Sequence, residues 1–222
     1  MTSRDTTTGL RARLVAAGVE LLAREGVHAL TLREIARQAG VSHGAPRRHF
    51  ASHAELLAAI AGHGFGELAE ALGLRDGGAR DNGTREGGAR ERGAREALAV
   101  HGPAEARDRL ERLARGYLAF AADRPGMFEL MFRHDVLEGS GTELRSTSLP
   151  LFEALTRLVA AVHPPTDGDA PSPTAVAAAL WANLHGLAQL RAWGSLGLAT
   201  GSDDLEPVLR ATLDANLGPA PR

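Results

Sequence analysis

Apolar residues recur at every third or fourth position along most of the chain, which is the spacing of amphipathic helices. The first predicted helix covers residues 10–25. The run TLRE at residues 31–34 has the form of a capping box, in which the hydroxyl and the carboxylate each accept from a free backbone amide. It predicts a second, short helix that ends at Gly40. Ser42 is the expected N-cap of a third short helix that reaches about Phe50.

Similar patterns continue to the end of the chain. A second capping box, SHAE at residues 52–55, predicts a fourth helix. Helical spacing returns in five later segments, at residues 104–122, 127–137, 142–162, 174–193 and 204–217, and Pro150 is expected to interrupt or bend the third of them. No stretch alternates polar and apolar residues between turns as a strand does. The predicted fold class is all-α.

Residues 73–96 repeat Gly, Ala and Arg and contain almost no large apolar side chain. Such a segment cannot bury enough surface to offset its ordering entropy, so we expect a flexible connection. An RGG-like RNA-binding tail is the alternative, although acidic residues are interleaved with these arginines. The chain therefore divides into a domain at residues 1–64, a flexible Gly/Arg-rich connection at 73–100 and a second domain at 101–222.

Charge is unevenly distributed along the chain. Residues 1–64 hold eight arginines and five acidic residues, although the whole chain has a net charge of −2. A positive first domain is a modest indication of nucleic-acid binding. The chain has no cysteine, which excludes a disulfide framework, thiolate zinc sites and cysteine nucleophiles. With no apolar signal core at the start and no apolar run near the roughly 20 residues of a membrane span, we expect a cytoplasmic protein with no membrane partner.

The run LREIARQAGVSHGAPRRHFASHAELLAAI, at residues 32–60, closely resembles the helix-turn-helix of the TetR (tetracycline-repressor) family. In that family a Phe closes the recognition helix and a capped helix follows. The resemblance, which covers about residues 10–60, implies an N-terminal three-helix helix-turn-helix DNA-binding domain and a C-terminal helical domain for effector binding and dimerisation. It also implies a homodimeric transcription regulator, by family default a repressor that a small-molecule effector releases from double-stranded operator DNA.

The resemblance assigns a set of DNA contacts. A helix-turn-helix lays its second helix in the major groove, where its first residues reach base edges and flanking groups hold phosphates. The expected DNA-binding residues are Thr31, Arg33, Ser42, His43, Gly44, Ala45, Arg47, Arg48, His49 and His53. Thr31 and Ser42 stand at predicted helix N-termini, which suit phosphate oxygens, and Gly44 permits close approach of the backbone.

This segment departs from the family pattern at two positions. Arg47 stands where Tyr is common and supplies a longer cation, which can bind phosphate or read guanine bidentately. His53 stands where Lys is usual, and its shorter, partly charged side chain predicts a weaker phosphate contact. Pro46 lacks an amide proton and restricts its predecessor, so we expect a shortened or distorted recognition helix.

Two later runs, RPGMFELMF at residues 124–132 and WANLHGL at 181–187, resemble the C-terminal domain of a TetR subgroup named for its Trp-His-Gly motif. The expected ligand-binding residues are Phe128, Met131, Phe132, Trp181 and His185. A hydrogen-bonded interior histidine is the alternative for His185, and a packing role is the alternative for Trp181.

The predicted helix at residues 174–193 is apolar nearly all round, which is typical of a helix that is buried nearly all round. Ala178, Ala182 and Gly186, spaced by four, form a face of small side chains that another helix can approach closely. We therefore expect a homodimer in which this helix and the last one, including Leu213, form a four-helix interface with their symmetry mates.

Other functions leave little trace in the sequence. His49, His53 and His63 are spaced too loosely for a convincing zinc site, so neither a metal nor a cofactor is expected. No nucleophile elbow, phosphate-binding glycine loop or paired-carboxylate motif is present, so an enzyme is not expected. The rival interpretation is a helical scaffold or interaction protein that retains the fold but has lost operator binding through Arg47 and His53.

Overall fold

The computed structural model describes residues 3–74, 100–137, 143–163 and 170–219, and every regular element within these ranges is helical. This confirms the predicted all-α fold class. Most of the expected Gly/Arg-rich connection lies outside the described residues. Within the described ranges, no helix has both the length and the apolar character needed to cross a membrane.

The helices follow the predicted segments closely. They are α1 (Ser3–Glu25), α2 (Leu32–Gln38), α3 (Pro46–His49), α4 (His53–Ala71), α5 (Pro103–Asp123), α6 (Pro125–Met131), α7 (His134–Leu137), α8 (Glu143–Val162), α9 (Pro173–Ala192), α10 (Ser195–Thr200) and α11 (Glu206–Leu217), with a short 3₁₀ helix at Val27–Ala29. Helix α8 runs through Pro150 without interruption. The single helix expected at residues 127–137 is instead two, and α10 was not predicted.

The first of two compact units contains the chain up to Glu67 together with Arg124–Ser148. Its core is built from leucine and isoleucine side chains with no exposed surface, among them Leu14, Leu21, Ile35, Leu56 and Ile60. A Cβ on Gly126 would lie 3.0 Å from the Leu22 carbonyl oxygen, so α6 approaches α1 as closely as it does because residue 126 has no side chain. Helix α6 thus packs in the same unit as the helix-turn-helix, although the sequence placed it in the second domain.

The second unit contains Leu68–Asp123 and Leu149–Arg222. Leucines from four helices form its core: Leu110, Leu158, Leu180 and Leu213. Arg107 is buried on α5, where its guanidinium donates to the Leu217 carbonyl at 3.4 Å and to the Asp214 carboxylate. A buried guanidinium needs such acceptors, so the hydrogen bonds of Arg107 hold the last turn of α11 against the core.

The third helix begins later than predicted. The Ser42 carbonyl accepts from the Ala45 amide at 2.9 Å in a turn, and the helix itself starts at Pro46. Proline is well suited to the first helical position, because the amide proton that it lacks would have no partner there. Ser42 is therefore not the N-cap of α3. Pro46 starts a helix of only four residues, so the recognition helix is shorter than the cap at Ser42 would make it. Gly40 has a φ of 67°, as the predicted turn requires.

The two predicted capping boxes differ in completeness. Thr31 accepts from the Glu34 amide at 3.2 Å, but the Thr31 amide donates to the Ala29 carbonyl at 2.7 Å and the Glu34 carboxylate bonds to Arg37, so the reciprocal bond is not made. Ser52 accepts from the Glu55 amide at 3.1 Å, and the Glu55 carboxylate accepts from the Ala51 amide at 2.6 Å. The second box is therefore closed in both directions, one residue earlier than its usual form.

Candidate nucleic-acid interface

An exposed face with positive charge lies on the two short helices of the helix-turn-helix. The exposed members of the predicted DNA-binding set are Thr31, Arg33, Ser42, His43, Gly44, Arg47 and Arg48. Within the described part of the chain, the guanidinium groups of Arg33, Arg47 and Arg48 make neither a hydrogen bond nor an ion pair. Exposed guanidinium groups that make no hydrogen bond or ion pair within the protein can serve phosphate oxygens or base edges.

Arg37 belongs to the same segment but is already paired. Its Nε donates to Glu34 Oε1 at 2.8 Å, and this hydrogen bond lowers the pKa of the Glu34 carboxyl below its usual value. The Glu34 charge is therefore neutralised by its neighbour on α2, which leaves the free arginines as the dominant charges of the face.

Ala45 does not fit its predicted role. Its side chain is 8% exposed and faces the core together with Pro46 and Phe50. A side chain buried in its own unit cannot contact a base, so the expectation of a DNA contact at Ala45 is corrected. The burial has a use, because three apolar side chains attach the recognition helix to the core while Arg47 and Arg48 stay exposed.

The two histidines that flank the following turn are half-buried. His53 Nε2 lies 2.6 Å from the Leu30 carbonyl oxygen, so this ring nitrogen is the donor and ties α4 to the start of the helix-turn-helix. The His49 carbonyl accepts from Arg11 Nη1 at 2.8 Å. A phosphate contact by His53 is left to its other ring nitrogen, Nδ1.

The sequence interpretation missed Arg11 and Arg13 on α1. Arg13 Nη2 donates to the Ala39 carbonyl at the end of α2, at 2.9 Å, and Arg11 reaches the end of α3. Both guanidiniums cap helix C-termini, where free carbonyls attract cations. No spacing rule reveals these contacts, because the partners lie 26 and 38 residues away along the chain.

The predicted ligand residues divide between the two units. In the first unit, Phe132 makes edge-on ring contacts with Phe65 at 5.7 Å and with Phe128 at 5.1 Å. Phe128 and Met131 are buried in that packing. In the second unit, Trp181 and His185 share α9 and face α5.

The Trp181–His185 pair belongs to a polar cluster. Trp181 Nε1 donates to the Tyr117 hydroxyl oxygen at 3.3 Å, and that oxygen lies 3.0 Å from His185 Nδ1. The Phe152 ring meets Trp181 edge-on at 6.3 Å. Burial lowers the pKa of His185 and raises that of Tyr117, so both side chains are uncharged at neutral pH.

The predicted dimer-interface residues differ in their exposure to solvent. Ala178 and Ala182 are exposed and Gly186 is half-buried, so these positions lie on the outer side of α9. Leu213 is 2% exposed and packs into the core of its own unit, so its side chain is not available to a second chain and the expectation for this residue is corrected.

Two family models match the chain. Residues 14–60 match the bacterial regulatory proteins of the tetR family, and residues 110–216 match the tetracyclin repressor-like C-terminal domain. Together the matches cover about two thirds of the chain.

Solved structures share the fold. A protein of unknown function from Rhodococcus sp. RHA1 is 29% identical, with 96% of each chain covered and a TM-score of 0.67. A TetR transcriptional regulator from Streptomyces coelicolor is 24% identical over 94% of this chain and 87% of its own, with a TM-score of 0.55. The multidrug binding protein EbrR, solved with imidazole, is 23% identical over 95% and 90%, with a TM-score of 0.55. Comparison with curated proteins gave no match.

The helix-turn-helix with its free arginines and the two family matches define a DNA-binding transcription regulator. The chain belongs to the TetR family, whose members bind operator DNA, dimerise and bind small-molecule ligands.

Proposed function

We propose that this regulator is a dimeric cytoplasmic repressor of the Trp-His-Gly subgroup, which a small-molecule effector releases from its operator. Residues 1–64 bind DNA, residues 101–222 bind the effector and the second subunit, and residues 73–100 connect them. The observation that carries the proposal is the exposed face on which Arg47 and Arg48 have no hydrogen-bond or ion-pair partner within the described residues.

Within this face, the proposed DNA contacts divide by chemistry. Arg47 and Arg48 are the long cationic donors of the recognition helix, so they carry most of the affinity, one of them on a base edge. The remaining contacts, to phosphate and sugar groups, are assigned to Thr31, Arg33, Ser42, His43, the backbone of Gly44, His49 and His53.

The test uses a duplex that the protein itself selects from random-sequence DNA. Replacing Arg47 or Arg48 by Ala should weaken binding, and the variant that loses a phosphate contact should lower the salt slope by about 1. The variant that loses a bidentate base contact should instead relax specificity at one position, at a cost of about 1–3 kcal/mol. Unchanged affinity and slope in the double variant would refute the assignment. Failure to select any sequence would favour the helical scaffold instead.

The dimer is proposed to form on the outer side of α9. Ala178 and Ala182 expose small side chains there, and Leu190, which is 39% exposed, adds apolar surface on the same helix. Small residues spaced by four permit close packing of a second helix, and burial of the exposed apolar groups supplies the free energy of association.

Gly186 tests this interface. A Cβ at this position would meet nothing within 4 Å in the single chain, so Gly186→Leu should leave the subunit folded and yet separate the dimer. The matched control is Gly62→Leu, a helical glycine on α4 with the same open surroundings. Sedimentation should give a monomer for the first variant and a dimer for the second. A dimer in both would place the interface elsewhere.

The effector is proposed to contact Trp181 and His185. Part of the Trp181 indole is exposed while its Nε1 is held by Tyr117, so the ring offers a fixed apolar surface beside a neutral imidazole. A screen of small aromatic compounds for release of the selected duplex tests this. A compound that acts on the natural chain should lose its effect with Trp181→Ala, while DNA binding persists. Retained release in that variant would exclude Trp181.

A further inference from the structure

Arg11 on α1 contacts three consecutive parts of the recognition region. Its Nη1 donates to the carbonyl of His49, the last residue of α3, at 2.8 Å and to Glu55 Oε1, in the first turn of α4, at 3.1 Å. Its Cζ lies 4.2 Å from the centre of the Phe50 ring, within range of a cation–π contact. One guanidinium therefore joins α1, the end of α3 and the start of α4.

The partner groups leave this turn little freedom. Glu55 uses one carboxylate oxygen for Arg11 and the other for the Ala51 amide, at 2.6 Å. The Phe50 side chain is buried, and its amide donates to the Pro46 carbonyl at 2.9 Å. The backbone from the end of α3 to the start of α4 is thus held by side chains on both sides.

Such support matters because α3 is four residues long, Pro46–His49. A single helical turn is not stable by itself, so its direction is set by the groups that surround it. The buried Ala45, Pro46 and Phe50 hold it through apolar contacts. Arg11 supplies the polar contact at its C-terminus, where a cation also interacts favourably with the free carbonyls.

Arg11 differs from the arginines assigned to DNA. Its side chain is 35% exposed and its Nη1 serves two protein acceptors, whereas Arg47 and Arg48 are exposed with no hydrogen-bond or ion-pair partner in the described residues. The contacts of Arg11 therefore determine where the Arg47 and Arg48 guanidinium groups lie, and Arg11 is not itself assigned a DNA contact.

We infer that Arg11 is a positioning residue for operator recognition, which orients α3 through the His49 carbonyl, the Phe50 ring and the Glu55 carboxylate. The inference rests on the proposed function, because it assumes that α3 presents Arg47 and Arg48 to DNA. Base contacts require tight geometry, while phosphate attraction tolerates displacement, so loss of Arg11 acts mainly on specific binding.

The test compares Arg11→Ala with the natural chain on the selected duplex and on a scrambled duplex. Affinity for the selected duplex should fall about tenfold, which is 1.4 kcal/mol. Binding to the scrambled duplex and the salt slope should change little, because no phosphate contact is removed. The affinity of Arg11→Lys for the selected duplex should lie between those of the natural chain and Arg11→Ala, because an ammonium group cannot bind both acceptors and also lie flat on the ring.

Arg24→Ala is the matched control. Arg24 also lies on α1 and bonds to the Gln38 side chain at 3.1 Å, but it does not reach α3 or α4. Both variants are measured at a temperature where circular dichroism shows them folded. If Arg11→Ala does not fold, the affinities for the selected and scrambled duplexes are compared in Arg11→Lys and Glu55→Gln instead.

Three results would overturn the inference: unchanged affinity for the selected duplex, a salt slope lowered by about 1, or equal losses on both duplexes. The second would make Arg11 a direct phosphate contact. Failure of the DNA assignment is recognised separately, because then Arg47→Ala and Arg48→Ala leave binding unchanged whatever Arg11→Ala does.

Discussion

The Tyr117 hydroxyl oxygen lies 3.0 Å from His185 Nδ1 and accepts a hydrogen bond from Trp181 Nε1 at 3.3 Å. Because an indole N–H can only donate, the hydroxyl proton is directed to His185. The imidazole then accepts at Nδ1. This order of donors and acceptors requires a neutral histidine.

Tyr117→Phe should lower the free energy of unfolding by about 1–2 kcal/mol, because the Trp181 donor and the His185 acceptor both lose a partner. Denaturant unfolding measures the loss. A double-mutant cycle with His185→Phe should give a combined effect smaller than the sum, since the two changes remove the same hydrogen bond. Additive effects would mean that the two side chains do not interact.

Stability should fall as the pH drops below about 6.5, in part because of His185. Burial lowers its pKa in the folded chain from the usual 6.5, so the unfolded chain binds the proton first on acidification. The stabilisation is complete above the unfolded pKa and is lost as the pH falls toward the folded one. His185→Gln should flatten the melting temperature between pH 5 and 7.5, whereas His101→Gln, an exposed control, should not. Equal pH profiles for the natural chain and His185→Gln would contradict this.

Glu55 should contribute stability at neutral pH that disappears in acid. Its pKa lies below the usual value, first because its carboxylate accepts from the Ala51 amide and second because of Arg11. The contribution is present above pH 4.5 and is lost as the pH falls through the lower folded pKa. Glu55→Gln should therefore cost about 0.5–2 kcal/mol near pH 7, and this cost should shrink as the pH falls below 4.5. Glu70→Gln, on an exposed part of α4, is the control.

Two glycines on α4 should respond to alanine with opposite signs. A Cβ at Gly62 meets nothing within 4 Å, so Gly62→Ala should stabilise the helix by about 0.5–1 kcal/mol. A Cβ at Gly64 would lie 2.5 Å from Met127 Sδ, so Gly64→Ala should destabilise by about 1–3 kcal/mol. Thermal unfolding of both variants checks the pair. Stabilisation by both variants would mean that the Met127 side chain moves aside freely, and destabilisation by Gly62→Ala would contradict the open surroundings of Gly62.

Sequence reasoning predicted most helix positions because caps, glycines and apolar spacing act between residues close in the chain. Thr31 and Ser52 accept the amide hydrogen bonds that their positions imply. Sequence reasoning placed the start of α3 at Ser42, whereas the helix starts at Pro46. A serine cap and a proline at the first helical position are both local signals, and burial of the Pro46 side chain favours the proline. The sequence does not reveal which local signal prevails where tertiary packing decides.

The sequence by itself determined the helical fold, the helix-turn-helix and the cationic segment around Arg47 and Arg48, since these depend on periodicity and residue type. The tertiary structure alone decided which side chains of those helices remain available. Ala45 and Leu213 are buried by packing, and Arg11 meets Glu55 across 44 residues of chain. Helical spacing specifies which residues share a face, but the surface that each face meets depends on contacts between distant segments, and these contacts decide whether a side chain binds DNA or holds the helix that does.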